Sequence, residues 1–168
     1  MGAKLNANIE AILDAVIRAE GGSKITNDPT DGGGRTQFGI SERSHKAAWA
    51  DDRVSEEEAR EIYRAKYVVG PHFHQIADKQ LQHLLVDWGV NSGPSIAIKN
   101  LQRAVGVEDD GVIGPATLSA VAGYADQRTL TNKLVADRIR MIVRIVQRDK
   151  SQLRYLGGWA ERTLSFII

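Results

Sequence analysis

Hydrophobic positions recur at helical spacing over most of the chain. The first such run covers about residues 6–20 and predicts an amphipathic helix that ends at Gly21-Gly22, since glycine commonly follows the last turn of a helix. A second helix is predicted in "VSEEEAREIYRAKYV", where Ser55 and Glu58 have the spacing of a capping box. The apolar positions of the first helix are Ile9, Ile12, Leu13, Val16 and Ile17.

The rest of the chain continues this pattern. Helices are predicted in "ADKQLQHLLVDWGV" and "SIAIKNLQRAVGV", on either side of the break "NSGP" at 91–94. After the turn "EDDGVIGP", the pattern predicts a short helix over 117–124, a long one over 129–149 and a last one in "GGWAERTLSFII". In the first quarter, "TQFGIS" at 36–41 predicts a short strand, and Ser41 is the predicted N-cap of a helix in "ERSHKAAW". The fold class is therefore mainly α with a small β element.

Composition narrows the class of protein. The 168 residues are 42% hydrophobic and 26% charged, which is typical of a folded globular protein. No cysteine is present, which excludes disulfides and thiolate chemistry. Polar residues interrupt the N-terminal apolar run, so no signal peptide is predicted, and synthesis in a cytoplasm is expected. No stretch approaches the roughly 20 apolar residues of a membrane span, so no stable membrane insertion is expected.

Positive charge is concentrated near the C-terminus. Residues 133–162 hold eight basic and three acidic residues, although the whole chain has a net charge of only +1. The simplest interpretation of this basic run is the solvated face of an amphipathic helix. The alternative is electrostatic contact with anionic cell-surface polymers. Nearly neutral overall charge and the lack of a recognised motif argue against nucleic-acid binding.

Candidate chemistry lies where the first helix ends. Glu20 closes that helix, and Asp28 and Asp31 follow in a glycine-rich loop. Cleavage of a glycosidic bond requires one carboxylic acid to protonate the leaving oxygen and a second carboxylate to activate water, attack the sugar or stabilise positive charge. Glu20 suits the first role because a helix anchors it. Either aspartate suits the second, and turn formation is the structural alternative for both.

An ordered series of residues in this region resembles the catalytic signature of phage endolysins of glycoside hydrolase family 108, which are muramidases of the lysozyme-like superfamily. The series is Glu20-Gly21-Gly22, Asn27-Asp28-Pro29, Asp31, Gly33, Thr36 and Gly39-Ile40. Two later segments extend the resemblance. "DWGVNSGPSIAIKNLQRAVGVEDDGVIGPATLSAV" is similar to the family's peptidoglycan-binding half, and "YLGGWAERT" to its C-terminal Gly-Trp-x-x-Arg element.

The resemblance implies a lysozyme-like single globular domain with a small β-hairpin at the active-site cleft. It implies a catalytic lobe over residues 1–90 and a helical peptidoglycan-binding lobe over 91–168, packed into the same globule. The expected activity is hydrolysis of the β-1,4 bond between N-acetylmuramic acid and N-acetylglucosamine in bacterial peptidoglycan, by a monomer that needs no cofactor. Release from the host cytoplasm by a holin, followed by bacteriolysis, is also implied.

The resemblance also assigns roles to residues. Glu20 is the expected general acid. Asp31 is the first choice for the second carboxylate, with Asp28 in reserve, and Thr36 would orient a water molecule or that carboxylate. Substrate binding is assigned to four further residues, which are Gly33, Gly34, Gln37 and Asn91.

Several alternatives remain open at this point. A lytic transglycosylase would use one glutamate and no water, and a non-catalytic peptidoglycan-binding module would need only the C-terminal half. The Asp110-Gly111 turn suits wall binding and simple turn formation equally. His72 and His74 lack a third ligand at a recognised spacing, so no metal site is expected. The three tryptophans, Trp49, Trp88 and Trp159, are predicted to be core anchors rather than sugar-stacking platforms.

Overall fold

The structure, a computed structural model, describes residues 2–27 and 34–168, with the side chains from residue 7 onward. The described part is mainly helical with a small antiparallel sheet, which confirms the predicted fold class. The chain forms two compact units, Met1–Gly70 and Pro71–Ile168. The predicted division into lobes over 1–90 and 91–168 stays a prediction.

The first unit surrounds a long N-terminal helix. Its elements are α1 (Gly2–Ala19), β1 (Thr26–Asn27), β2 (Arg35–Gln37), β3 (Ile40–Ser41), a 3-10 helix (Lys46–Trp49), α2 (Glu56–Tyr63) and a π-helical segment (Arg64–Val69). The predicted apolar stripe of α1 is confirmed, since all five of its residues are at most 7% exposed. Burial of this stripe holds α1 in the unit, because helices gain most of their stability from packing of an apolar face.

Polar contacts then fix α2 against α1. The predicted capping box is confirmed: the Glu58 N–H donates to Ser55 Oγ at 3.2 Å, and the Ser55 N–H donates to the Glu58 carboxylate at 2.9 Å. From α2, Arg60 forms ion pairs with Glu10 and Asp14 of α1. These contacts supplement the buried apolar interface and set which face of α2 meets α1.

The β element differs from the prediction. Residues 36–41 do not form one strand, because the chain reverses at Phe38 and Gly39, both of which have positive φ (51° and 75°). Two consecutive positive φ angles are typical of the tight turn that joins hairpin strands. The result is an antiparallel sheet in the order β1-β2-β3, in which Thr36 is paired with Thr26 on one side and Ser41 on the other.

The prediction of a helix in "ERSHKAAW" is also wrong. Ser41 ends β3 instead of capping a helix, and only the 3-10 helix Lys46–Trp49 forms. Trp49 closes this segment onto the sheet, since its indole N–H donates to the Ile40 carbonyl at 3.2 Å. Its side chain is 4% exposed, in agreement with the core role predicted for it.

The second unit consists of helices only, within the part of the chain that is described. Its elements are a 3-10 helix (Phe73–Gln75), α3 (Lys79–Ser92), α4 (Pro94–Val105), α5 (Pro115–Ala122), α6 (Gln127–Arg148), a second 3-10 helix (Lys150–Tyr155) and α7 (Leu156–Leu164). The predicted helices are confirmed to within a few residues at their ends, except that α7 is shorter than predicted. Trp88, fully buried on α3, is a core anchor as expected, whereas Trp159 on α7 is only half-buried.

A buried ion cluster ties α3, α6 and α7 together. The Arg138 guanidinium donates from Nη1 to Asp87 Oδ2 at 2.7 Å, and Arg162 donates from Nε to Asp87 Oδ1 at 2.8 Å. The sequence pattern places Arg138 off the apolar stripe of α6, yet the residue is 3% exposed. The physical reason is the carboxylate of Asp87, since a charge is buried in a protein when a partner compensates it.

The Asp110-Gly111 turn has a structural role. Gln102, 1% exposed, donates to the Asp110 carboxylate at 2.7 Å and accepts a hydrogen bond from the Gly111 N–H at 2.9 Å. The Gln102 hydrogen bond is the main cause of the lowered pKa of Asp110. The turn is therefore held on α4 from within the unit, which accounts for its residue types without a ligand.

Membrane spans and metal sites can be assessed only over the described residues. No helix among them is long and apolar enough to cross a membrane. His72 and His74 have ring centroids 5.9 Å apart, but the described chain contains no group of three or more residues suited to hold a metal ion.

Candidate active site

Glu20 follows directly on the last turn of α1. Its N–H donates to the Val16 carbonyl at 2.9 Å, and the Gly22 N–H donates to the Ile17 carbonyl at 3.0 Å, which closes the end of the helix. Because α1 is anchored by its buried stripe, the backbone of Glu20 is held in a defined place. The side chain is half-buried.

The hairpin formed by β2 and β3 is joined to the segment that follows Glu20. The Phe38 N–H donates to the Gly22 carbonyl at 2.9 Å. The Gln37 side chain donates to the Ser23 carbonyl at 2.9 Å and accepts from the Val54 N–H at 2.8 Å. Both ends of the Gln37 amide thus bind backbone groups, and the residue is 9% exposed. This arrangement favours a structural role for Gln37 over the substrate-binding role assigned to it.

The turn of the hairpin contacts Glu20 itself. A Cβ atom added to Gly39 would lie 2.9 Å from Glu20 Cβ and closer still to the Tyr63 hydroxyl oxygen. Tyr63 is 3% exposed, and its hydroxyl donates to the Phe38 carbonyl at 2.9 Å. Glu20 therefore lies against a turn whose inner side is supported by a buried tyrosine. Gly39 is exposed, so the outer side of the turn lies at the surface of the unit.

Thr36 occupies the middle of the central strand. It is half-buried, and its side chain lies on the face of the sheet opposite to Gln37, because side chains alternate along a strand. A role in orienting water stays a prediction for this residue.

Arg35, which the sequence did not mark as a site residue, forms a charged cluster beside the sheet. Arg35 donates to both oxygens of Glu42 at 2.9 Å and to Asp52 at 2.9 Å, and its guanidinium carbon lies 4.9 Å from the centre of the Trp49 ring. The Arg35 hydrogen bonds lower the pKa of Glu42. The partners of Arg35 lie 7 and 17 positions away, and no local motif marks them.

The other predicted site residues are placed as follows. Asp28, Asp31 and Gly33 lie outside the described residues. Gly34 lies beside Glu42, since a Cβ atom at Gly34 would be 3.7 Å from Glu42 Oε2. Asn91 belongs to α3 in the second unit, where its side-chain amide donates to the Asp87 carbonyl at 3.0 Å. The structure thus places Glu20 and the hairpin together, and it describes Asn91 within a different unit.

Replacing Gly39 by alanine should disturb Glu20 directly. The added methyl group would displace Tyr63 or Glu20, and alanine at φ +75° costs about 1–2 kcal/mol of conformational strain. Because small misplacements of catalytic groups can cost about 10²-fold in rate, we expect a loss of wall-lysing activity of at least about tenfold. The measurement is turbidity loss of purified cell walls, together with thermal unfolding.

Gly106→Ala is the matched control for this variant. Gly106 has φ +77°, but a Cβ atom there would meet nothing within 4 Å. It carries the same backbone strain without the clash, so we expect a similar loss of stability with activity close to that of the wild type. Equal activity of the two variants would show that the Gly39 turn does not position Glu20.

Comparison with known proteins matches the two halves of the chain to two different families. The family model described as Glycosyl hydrolase 108 matches residues 13–93, which include Glu20, the hairpin and α2. The model described as Predicted Peptidoglycan domain matches residues 96–164. No curated protein matches the chain significantly. Among solved structures, the chain is similar to one described as "Structure of Brucella abortus SagA", with 29% identity, 96% of each chain covered and a TM-score of 0.63.

The family matches follow one another over nearly the whole chain, and the first contains Glu20 and the hairpin. A glycoside hydrolase domain joined to a peptidoglycan domain is an enzyme whose substrate is the bacterial cell wall. This excludes the non-catalytic module left open above. The chain therefore contains a glycosyl hydrolase family 108 domain, and it is a lysozyme-like peptidoglycan hydrolase.

Proposed function

We propose that the enzyme is an N-acetylmuramidase, which hydrolyses the β-1,4 bond between N-acetylmuramic acid and N-acetylglucosamine. In this mechanism Glu20 protonates the glycosidic oxygen as the bond breaks. The observation that carries the proposal is the position of Glu20, which follows an anchored helix and lies against Gly39, the exposed residue of the hairpin turn. This position supports the assignment, because the backbone of Glu20 is fixed and its half-buried side chain lies beside an exposed residue.

The second carboxylate belongs to the segment between β1 and β2. Asn27 and Arg35 are paired across these strands, so the segment begins and ends at neighbouring positions of the sheet. We assign the role to Asp31, with Asp28 as the alternative, and we assign to Thr36 the orientation of a water molecule or of that carboxylate. Comparing Asp31→Asn with Asp28→Asn decides between the two, since loss of the true partner should cost far more activity.

The products of digestion test the proposal. Purified sacculi are digested with the wild-type enzyme, and the released fragments are analysed by mass spectrometry before and after borohydride reduction. A muramidase leaves N-acetylmuramic acid at the reducing end. A 1,6-anhydro muramoyl end would identify a lytic transglycosylase, and a reducing N-acetylglucosamine would identify cleavage of the other glycosidic bond. Either of these products would overturn the proposal.

We also propose a biological setting, that of a phage endolysin with bacteriolytic, antimicrobial activity, which acts as a monomer after holin-type release from the host cytoplasm. The resemblance of the Glu20–Ile40 series to endolysins supports it. The basic run at 133–162 adds a contact with anionic cell-surface polymers. Arg138 and Arg162 bind Asp87, so these two arginines contribute less exposed positive charge than the sequence suggests. The exposed members of the run include Arg144, Arg148, Lys150 and Arg154.

A further inference from the structure

The second unit contains a pocket of about 300 Å³ that none of the roles assigned so far explains. It lies between the end of α3, the start of α4, and residues of α6 and α7. This volume is at the lower end of the range for small-molecule sites, so the pocket suits one small group rather than a length of polymer. Most of the lining falls in the region that matches the peptidoglycan domain. It includes Asn91, Ser92, Ile96, Arg138, Ile145 and Trp159.

Part of the lining is apolar and aromatic. Ile96 and Ile145 are 42% and 37% exposed, although both are large apolar residues. The half-buried Trp159 ring stacks on Tyr155, with centroids 5.5 Å apart and 29° between the ring planes. This stack holds the indole in the pocket wall, since it packs one ring against the other. Apolar groups that stay open to solvent around a concave site favour a ligand with apolar faces of its own.

Three further lining residues carry hydrogen-bonding groups. The Asn91 side chain donates from Nδ2 to the Asp87 carbonyl at 3.0 Å, so its Oδ1 is the atom left to accept a hydrogen bond from a ligand. Arg138 has five N–H donors, and among its contacts with the described residues one of them, on Nη1, binds Asp87. The Ser92 hydroxyl can donate or accept. The pocket therefore offers acceptors and donors beside an apolar surface, and none of these contacts requires a charged ligand.

We propose that the pocket binds one N-acetylated sugar residue of the peptidoglycan glycan strand. The C–H face of a pyranose ring suits the Trp159 indole, because both surfaces are flat and apolar. The acetamido group suits the rest of the lining: its N–H pairs with Asn91 Oδ1, its carbonyl oxygen with the Arg138 guanidinium, and its methyl group with the apolar wall. Both sugars of the strand carry this group. The proposal rests on peptidoglycan being the substrate, and it is independent of the role of Glu20 and of which glycosidic bond is cleaved.

Soluble disaccharides test this chemistry. The full chain carrying Glu20→Gln, which lacks the proposed acid, is titrated by calorimetry with N,N′-diacetylchitobiose and with cellobiose. Both are β-1,4-linked disaccharides of the glucose type, and only the first carries acetamido groups. We expect the first to bind at least about tenfold more tightly, because a site built around hydrogen bonds rejects an analogue that leaves them unmade. N-acetyl-D-alanyl-D-alanine represents the stem peptide, and we expect it to bind more weakly than N,N′-diacetylchitobiose.

Asn91→Ala and Asn100→Ala locate the site as a matched pair. Asn100 on α4 donates from Nδ2 to the Ile96 carbonyl at 2.8 Å, which is the same bond to the fourth preceding residue that Asn91 forms on α3. Each variant loses one such bond, but Asn91 lines the pocket, whereas Asn100 is not part of its lining. We expect Asn91→Ala to weaken binding of N,N′-diacetylchitobiose at least about fivefold and Asn100→Ala to change it less than about twofold.

Trp159→Ala tests the aromatic part of the pocket. The substitution removes the surface against which the sugar ring is proposed to lie, so we expect binding of N,N′-diacetylchitobiose to weaken at least about tenfold. Circular dichroism and thermal unfolding show whether each variant is folded. The asparagine pair keeps the test decisive if Trp159→Ala destabilises the unit, because both asparagines are replaced at helix positions that alanine favours.

Three results would overturn the proposal. They are equal binding of the two disaccharides, tighter binding of the dipeptide than of N,N′-diacetylchitobiose, and equal binding by the Asn91→Ala and Asn100→Ala variants, which would place binding elsewhere. Failure of the muramidase assignment is a separate outcome, because it changes the reducing ends released by the wild type and leaves disaccharide binding unaffected. Conversely, equal binding of the disaccharides together with reducing muramic acid ends would contradict the pocket alone.

Discussion

Replacing Glu20 by glutamine is expected to abolish nearly all wall-lysing activity and to leave the fold intact. Glutamine has the same shape as glutamate but cannot donate the proton that the leaving oxygen requires. General acid catalysis contributes about 10²–10⁴-fold to a reaction rate, so we expect a loss of that size. The end of α1 is held by backbone hydrogen bonds from Glu20 and Gly22, which the substitution leaves in place. The rate of turbidity loss of purified sacculi measures the effect.

Glu57→Gln is the control for this variant. Glu57 is an exposed carboxylate in the first turn of α2, within the same unit. Its substitution removes the same charge from the unit, and we expect lytic activity within about twofold of the wild type, since exposed positions tolerate such changes. A Glu20→Gln enzyme that clears walls as fast as the Glu57→Gln enzyme would show that Glu20 is not the acid.

The helices could be predicted because each carries its own local signal. The stripe of α1 repeats at helical spacing, and Ser55 and Glu58 mark the start of α2 within three residues of each other. Gly93 and Pro94 separate α3 from α4 in the same local way. Each of these signals depends on residues close together in the chain, so tertiary contacts are not needed to read them.

The family resemblance implies a small β-hairpin, and one is present, but no local signal marks where its turn lies. Its turn consists of Phe38 and Gly39, and a phenylalanine with positive φ is rare. The sequence "TQFGIS" also lacks the Asn-Gly or Asp-Gly pair that usually marks a two-residue turn. What holds Phe38 in place is tertiary, namely the hydrogen bond that its carbonyl accepts from Tyr63, 25 residues away.

In the candidate site, too, some features follow from local sequence signals and others from contacts between distant segments. The position of Glu20 at the end of a helix follows from the glycines behind it, and the family resemblance adds its role. The support that surrounds it, from Tyr63 and from the Gln37 amide that binds Ser23 and Val54, depends on contacts between distant segments. Arg138 in the second unit is the clearest example of a residue whose environment depends on a distant contact. The sequence pattern predicts that it is solvated, but it is buried beside Asp87, which lies 51 positions away.

Replacing Asp87 by asparagine should destabilise the second unit strongly. The substitution keeps the shape of the side chain but leaves the buried guanidinium of Arg138 without a compensating charge. Burial already lowers the pKa of Arg138, and the charge of Asp87 is the main effect that opposes this. Breaking a buried ion pair from one side typically costs about 3–5 kcal/mol, and we expect a loss of that size in the free energy of unfolding. Urea titration followed by circular dichroism measures it.

Two further variants separate the buried charge from the loss of an aspartate as such. Asp137→Asn breaks a surface pair on the same unit, in which the Arg140 side chain is 62% exposed, and we expect a cost below about 1 kcal/mol. Adding Arg138→Met to Asp87→Asn removes the more deeply buried of the two guanidinium groups that bind Asp87 and should restore part of the lost stability, because apolar replacement of a buried ion pair is often tolerated. If Asp87→Asn cost no more than Asp137→Asn, the cluster would not hold α3, α6 and α7 together. If the double variant were less stable than Asp87→Asn, packing of the arginine stem rather than its charge would dominate at this position.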